Sequence, residues 1–242
     1  MHKAKGRKNL TNRRGFVVLA LAALGHGFPA QGAESKPGTA KKTVQRARLP
    51  RRLAADFQGH IDSRLPTLRP SFEAAAADTG IGWKMLAALA YQESRWRPAA
   101  VSPRGAKGVM MLMPITAKKM GVNNVFSPDE NIMGGARYLS YMRERIPKRI
   151  IDPDRTWLAI AAYNVGIGHL EDARIITQTR KKNPDLWPDV RANLPRLTDP
   201  RWHSLVKHGY ANGLETVQFV ERVSQFSAIL ETTIPDSVVA RD

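Results

Sequence analysis

The sequence contains no cysteine. Disulfides, a thiolate nucleophile, a cysteine-based zinc site and a lipid-bearing cysteine are therefore excluded. Aromatic residues are sparse, at 7%, and no long apolar–polar alternation of the kind that marks β-strands is present. There is no internal repeat, coiled-coil heptad or helix-turn-helix signal. No apolar run reaches the roughly 20 residues a membrane-spanning helix needs. The six histidines are scattered. His203 and His208 are five apart and do not share a ligand face, so neither a metal nor another cofactor is expected. Residues 102–108 form a glycine-containing loop without the Gly-Lys-Ser or Gly-Lys-Thr end of a phosphate-binding loop, which argues against a nucleotide. Acid is scarce relative to base, with 21 Asp and Glu against 38 Lys and Arg and a formal net charge of +17. That balance favours a polyanionic partner. Nucleic acid and an acidic cell-wall polymer both fit the charge. The lack of an aromatic-basic recognition motif leaves nucleic acid unexpected.

What is present is mostly helical punctuation. Residues 1–33 hold six Lys or Arg and no acid. They continue into an apolar stretch at 16–24 and then small residues, the pattern of a secretory signal peptide. Asn12-Arg13-Arg14-Gly15-Phe16 is similar to a twin-arginine export signal. Export to the periplasm or cell envelope is the expectation. Residues 34–52 are basic, contain Gly and Pro, lack apolar periodicity and read as a flexible linker. Residues 53–235 form the globular part and 236–242 a tail. Pro66 and Pro70 are expected to interrupt any early helix, with Ser71 capping a short one at 72–78. Gly80 and Gly82 separate it from a nearly all-apolar, hence buried, helix at 83–93. Pro114 suits a first helical turn. Ser127 and Glu130 have capping-box spacing ahead of a helix at 131–146, with Ile132, Met133, Ala136, Leu139 and Met142 as its apolar stripe. Further helices are expected at 156–164 and 170–179. The proline-containing stretch 183–197 reads as loop, and 205–230 as helix with a break near Gly209 or Gly213. The simplest architecture is all-α.

The chemistry concentrates in residues 86–116. The buried helix ends in one carboxylate, Glu93, at its C-terminus. The helix dipole and partial burial both disfavour the charge there, which raises the pKa and makes Glu93 a candidate proton donor. A pairing with Arg95 or Arg97 fits the same position. No other carboxylate has a distinctive setting. Asp78, Asp129, Asp152 and Asp154 lie near helix ends, and Glu130 has a capping role, so a single acid fits better than a carboxylate pair.

Glu93-Ser94, Ala100, Ser102, Gly105-Ala106, Gly108-Val109-Met110, Met113-Pro114 and Thr116, followed by Ala162-Tyr163-Asn164, resemble the soluble-lytic-transglycosylase (SLT) family. The resemblance spans roughly residues 72–225. Met111 stands where the family generally has Gln, and Tyr91-Gln92-Glu93-Ser94 completes a pattern similar to the membrane-bound lytic transglycosylase F branch. The resemblance implies a lysozyme-like (goose-type/SLT) fold acting on peptidoglycan glycan strands. The reaction it implies breaks the β-1,4 bond between N-acetylmuramic acid and N-acetylglucosamine and leaves a 1,6-anhydro ring. A hydrolytic lysozyme-like glycosidase and a non-catalytic wall-binding protein are the alternatives. Glu93 would serve as acid and then base. Ser102, Met110, Met111, Tyr163 and Asn164 would line the substrate site, with one of the adjacent methionines facing the groove and the other the core. Phe219 occupies a position where the family usually has Tyr, so contact with the acid would fall to Tyr210 or Tyr163. A monomer is expected, with envelope or secretion-assembly proteins as further candidate partners. The amino-terminal solute-binding-like domain of the F branch is not expected in this chain, nor is regulation through it.

Overall fold

A computed structural model describes residues 49–235. The expected signal peptide, most of the linker and the tail lie outside these residues. Within them the chain is helical throughout, and the β-structure consists of two isolated bridges, Val101 to Lys107 and Lys107 to Leu112.

Helix α1 (Arg51–Ser63) buries Phe57 and Ile61, four residues apart on one face, and Arg51 and Arg52 form its first turn. Helix α2 (Leu65–Thr79) differs from the expectation, because it runs through Pro70. Pro66 sits in the first turn, where its missing N–H is not needed. Pro70 deprives only the carbonyl of Pro66, at the helix start, while Leu65, Leu68 and Phe72 remain buried. Ser71 is thus inside the helix, and its hydroxyl donates to Asp129 instead of capping. Gly80 closes α2 in the left-handed conformation at φ 68°.

Helix α3 (Trp83–Ser94) is the central element, with Leu86 to Tyr91 all buried. It packs against α2 and against the last long helix, α10 (Gly213–Thr233). It ends earlier than Pro98 would require. Arg95 and Trp96 both take positive φ, at 55° and 56°, which costs about 1–3 kcal/mol at each non-glycine residue. The compensation is visible in Trp96. Its ring turns back beneath α3, is 1% exposed, and its Nε1 donates to the Ala87 carbonyl at 2.8 Å.

Four aromatic rings join the first helix to this centre. Phe57 lies 4.4 Å from Tyr91, 5.5 Å from Trp96 and 4.6 Å from Phe226, ring centre to ring centre. Because Phe57 is fully buried, Phe57→Ala is expected to cost about 3–5 kcal/mol. Chemical denaturation would measure the loss, and a change below about 1 kcal/mol would detach α1 from the core.

The remaining elements form the other side. They are α4 (Pro114–Lys119), α5 (Pro128–Arg145), α6 (Asp154–Val165) and α7 (Ile167–Thr179). The Ser127 hydroxyl accepts from the Glu130 N–H, as the capping pattern implied. Glu130 does not complete the box. Its carboxylate accepts from the N–H groups of Asn123 and Asn124 and orders the turn before the helix. Helix α5 packs against α2 and α6, and α6 against α10. The stretch 183–197, expected as loop, instead holds α8 (Trp187–Arg191) and the start of a 3-10 turn at Leu194–Thr198, followed by α9 (Pro200–His203). Pro188, Pro195 and Pro200 fall within the first two positions of these short helices, where they are compatible with the geometry, while Pro184 lies in the turn before α8. Among the described residues no helix is long and apolar enough to cross a membrane.

Candidate active site

Glu93 comes to the surface at the end of α3 between two cavities and lines both. One, of about 520 Å³, lies between the loop at 101–113 and the end of α6. Its walls include Ser102, Met111, Tyr138, Tyr163 and Asn164. The other, of about 570 Å³, lies between α1, the end of α3 and α10.

Neither ion pair considered for Glu93 is formed. Arg95 faces Asp56 at 3.9 Å, and the Arg97 side chain donates to the Ser94 carbonyl at 2.9 Å. Among the described residues no side chain or backbone group hydrogen-bonds the Glu93 carboxyl. The residue keeps part of its surface open to the cavities, but protein surrounds it closely on the other sides. Loss of hydration with no compensating donor pushes its pKa from the ordinary 4.5 up to about 8. The carboxyl is therefore protonated at neutral pH.

This protonation has a consequence for stability. Between pH 4.5 and about 8 the folded chain holds a proton that the unfolded chain has released. Stability of the wild type should fall as pH rises through that window, by at most about 1.4 kcal/mol per pH unit. Glu93→Gln removes the titration. Its melting temperature should exceed that of the wild type by a margin that widens across the window and levels off above it. A margin independent of pH would exclude the raised pKa.

The opposite wall is a tight turn. Lys107 and Leu112 exchange backbone hydrogen bonds at 2.9 Å in each direction. Met111, near its tip, has φ 49° and lines the cavity. Met110 does not, contrary to its expected place in the groove. Its side chain is fully buried against Gly135, where an added Cβ would stand 2.5 Å from its sulfur. Adjacent residues in a turn point apart, and here the core takes the first methionine and the cleft the second.

A side chain that the sequence reading passed over holds this turn in place. Asn131, in the first turn of α5, is completely buried. Its Oδ1 accepts from the Met110 N–H at 2.7 Å, and its Nδ2 donates to the carbonyls of Lys107 at 3.1 Å and Val125 at 2.9 Å. The signal was an amide directly before the apolar stripe that begins at Ile132. Gly108 fits the same arrangement: φ is 82°, and a Cβ there would lie 2.3 Å from both the Asn131 amide and the Val125 carbonyl. Tyr163 completes the support. Its hydroxyl donates to the Met110 carbonyl at 2.8 Å, so its proton is committed to the turn and not to the acid. Burial, and the nearby Glu93 carboxyl when charged, raise the phenol's pKa well above its ordinary value. Tyr138, also unforeseen, packs at a tilt with its ring centre 5.0 Å from that of Tyr163 and lines the same cavity.

Ser102 and Asn164 are at the cavity but engaged. The Ser102 hydroxyl accepts from the Ala106 N–H at 2.9 Å, a turn cap, and the Asn164 Oδ1 accepts from the Thr216 hydroxyl at 2.9 Å. The Asn164 amide nitrogen and the second hydrogen-bonding capacity of Ser102 are left for a ligand. Tyr210 is not brought to the site. It is 62% exposed, its ring packs beside His203, and it lines neither cavity. The break at Gly209 places it on a loop before α10 rather than on the helix face that packs against α3. Phe219, on α10, is buried and offers the acid no hydroxyl.

The arrangement provides one neutral carboxyl, free of protein partners, beside a groove with apolar and hydrogen-bonding walls. Residues 70–186 match the family model for the transglycosylase SLT domain. The chain is 48% identical over 174 residues to membrane-bound lytic murein transglycosylase F of Saccharophagus degradans, which covers 72% of this chain and 35% of that protein. The corresponding protein of Thiobacillus denitrificans is 44% identical over 204 residues, or 82% of this chain and 43% of its own. The chain thus spans 35% and 43% of the length of these two relatives. Among solved structures, an inactive Glu-to-Gln mutant of lytic transglycosylase Slt from Pseudomonas aeruginosa superimposes with a TM-score of 0.51 at 27% identity, over 74% of this chain and 28% of that one. The 70 kDa soluble lytic transglycosylase of Escherichia coli has a TM-score of 0.50 at 24% identity, over 69% and 24% respectively, and shares the fold. The chain has the all-α, lysozyme-like SLT fold, belongs to the transglycosylase SLT-domain family and is closely related to membrane-bound lytic murein transglycosylase F.

Proposed function

We propose that this chain cleaves the β-1,4 bond between N-acetylmuramic acid and N-acetylglucosamine in peptidoglycan by lytic transglycosylation, in the cell envelope. The observation that carries the reading is Glu93: a single desolvated acid with a pKa of about 8 at the edge of a groove. Among the described residues lining that groove there is no second carboxylate. Asp56, in the neighbouring cavity, faces Arg95. Glycosidases that work with two carboxylates need the second as nucleophile or base, roughly 5–10 Å from the first. A lone acid suits a reaction in which the substrate supplies its own nucleophiles.

In the first step Glu93 gives its proton to the leaving glycosidic oxygen, which its neutral state at pH 7 permits. The substrate's acetamido oxygen attacks the sugar carbon and forms an oxazolinium-like intermediate. Glu93, now a carboxylate in a poorly hydrated setting, is a strong enough base to take the proton of the C6 hydroxyl. That oxygen attacks C1, displaces the acetamido oxygen and closes the 1,6-anhydro ring, and Glu93 recovers its proton. In this reading Ser102 and Asn164 hydrogen-bond the sugar's polar groups, and Met111 supplies an adaptable apolar contact in place of an amide. Activity should fall as pH rises through about 8, where the acid form is lost.

Mass spectrometry of the fragments released from purified cell-wall sacculi tests the reading. Anhydromuramyl ends are the expected product. Reducing ends would identify a hydrolase, and binding without any release a wall-binding protein.

A further inference from the structure

The second cavity beside Glu93 has a different character from the groove. Four guanidinium groups border it: Arg52 from α1, Arg95 and Arg97 after α3, and Arg222 from α10. Besides Glu93 it has one carboxylate, Asp56, spread 3.9 Å from Arg95. Among the described residues Arg52 and Arg222 have no acidic partner. These cations come from three separate segments, so they are not the solvated stripe of a single helix. Their placement is also enforced. The left-handed pair Arg95-Trp96 turns the chain so that Trp96 enters the core, which leaves Arg95 and Arg97 facing out on either side of it. The Arg95 carbonyl is held at 2.7 Å by the guanidinium of Arg64, the residue that caps the end of α1.

We propose that this cavity is a subsite for the carboxylates of the peptide carried by the wall glycan, an inference that rests on the substrate reading above. In peptidoglycan the peptide hangs from the lactyl group of muramic acid, the sugar at the bond to be broken. A bond positioned for protonation by Glu93 places that substituent next to the acid, and Glu93 lines both cavities. The volume, about 570 Å³, suits a short peptide better than an inorganic ion. Guanidinium groups pair with carboxylates through parallel hydrogen bonds.

The test uses soluble peptidoglycan chains of matched length in two forms, one with free peptide carboxylates and one with those carboxylates amidated. Binding is measured with Glu93→Gln protein so that it does not depend on turnover. The added pair Arg52→Gln and Arg222→Gln should weaken binding of the free-carboxylate chains about fivefold, as two partly exposed charge pairs would. The amidated chains should lose much less. Both side chains are exposed, so the fold should persist, and circular dichroism would verify it. An equal loss for both forms, or no loss for either, overturns the inference. Cleavage of the same two substrates by the wild-type chain reports separately on the transglycosylase reading. Its failure would appear as no anhydro product from either form, whatever the binding result.

Discussion

Glu93→Gln is expected to reduce release of anhydromuropeptides by at least the roughly 10²–10⁴-fold that a positioned general acid–base contributes, with the product measured chromatographically from purified sacculi. The substitution keeps the shape of the side chain and removes the transferable proton. Because the Glu93 carboxyl has no hydrogen-bond partner among the described residues, no network is broken by the change. The fold should survive and become more stable at neutral pH, since a group whose ionised form is strongly disfavoured is gone. A catalytic loss accompanied by a stability gain is the signature of an acid kept neutral for chemistry. Retention of a tenth or more of the wild-type rate would remove Glu93 from its assigned role.

Asn131→Leu should produce the largest stability effect outside the apolar core. Leucine fills a similar volume but leaves the Met110 N–H and the carbonyls of Lys107 and Val125 without their partner. Each buried backbone group left unpaired costs about 1–3 kcal/mol, so a total loss of about 3 kcal/mol or more is expected by chemical denaturation. Asn131→Asp keeps the acceptor for Met110 but loses both donors, and should fall between wild type and leucine. The effect should extend to catalysis, because the same turn carries Met111 into the groove and receives the Tyr163 hydroxyl on the Met110 carbonyl. Activity of the folded Asn131→Leu protein should fall with a raised KM. A change below about 1 kcal/mol, or unchanged KM, would show that the turn stands without the amide.

Periodicity made the helices legible where side chains alternate between core and solvent. The stripe from Ile132 to Met142 is buried at Ile132, Ala136, Leu139 and Met142, and the all-apolar run ending at Tyr91 is the most enclosed helix of the fold. Proline was a weaker guide. Pro70 is accommodated within α2 because it lies near the helix start, and Pro188, Pro195 and Pro200 open short helices instead of preventing them. A residue's effect on the backbone depends on its place within an element, which composition does not specify. The site was legible at Glu93, whose setting follows from a buried helix ending in a carboxylate. It was not legible at Asn131, because an amide buried by three backbone partners outside its own helix looks in sequence like any polar residue at a helix start.

By itself the sequence determined that the chain is helical, that it holds one acid at the end of its most apolar helix, and that its surface is strongly cationic. These are consequences of local residue order and charge count. Tertiary structure decided that Glu93 meets neither Arg95 nor Arg97, that Met111 rather than Met110 reaches the groove, that Tyr163 braces the turn, and that Tyr210 lies elsewhere. It also gathered arginines from three distant segments around one hollow. Which neighbours desolvate a carboxyl, and which way a turn directs consecutive side chains, depend on contacts between residues far apart in the chain. Those contacts exist only once the helices have packed.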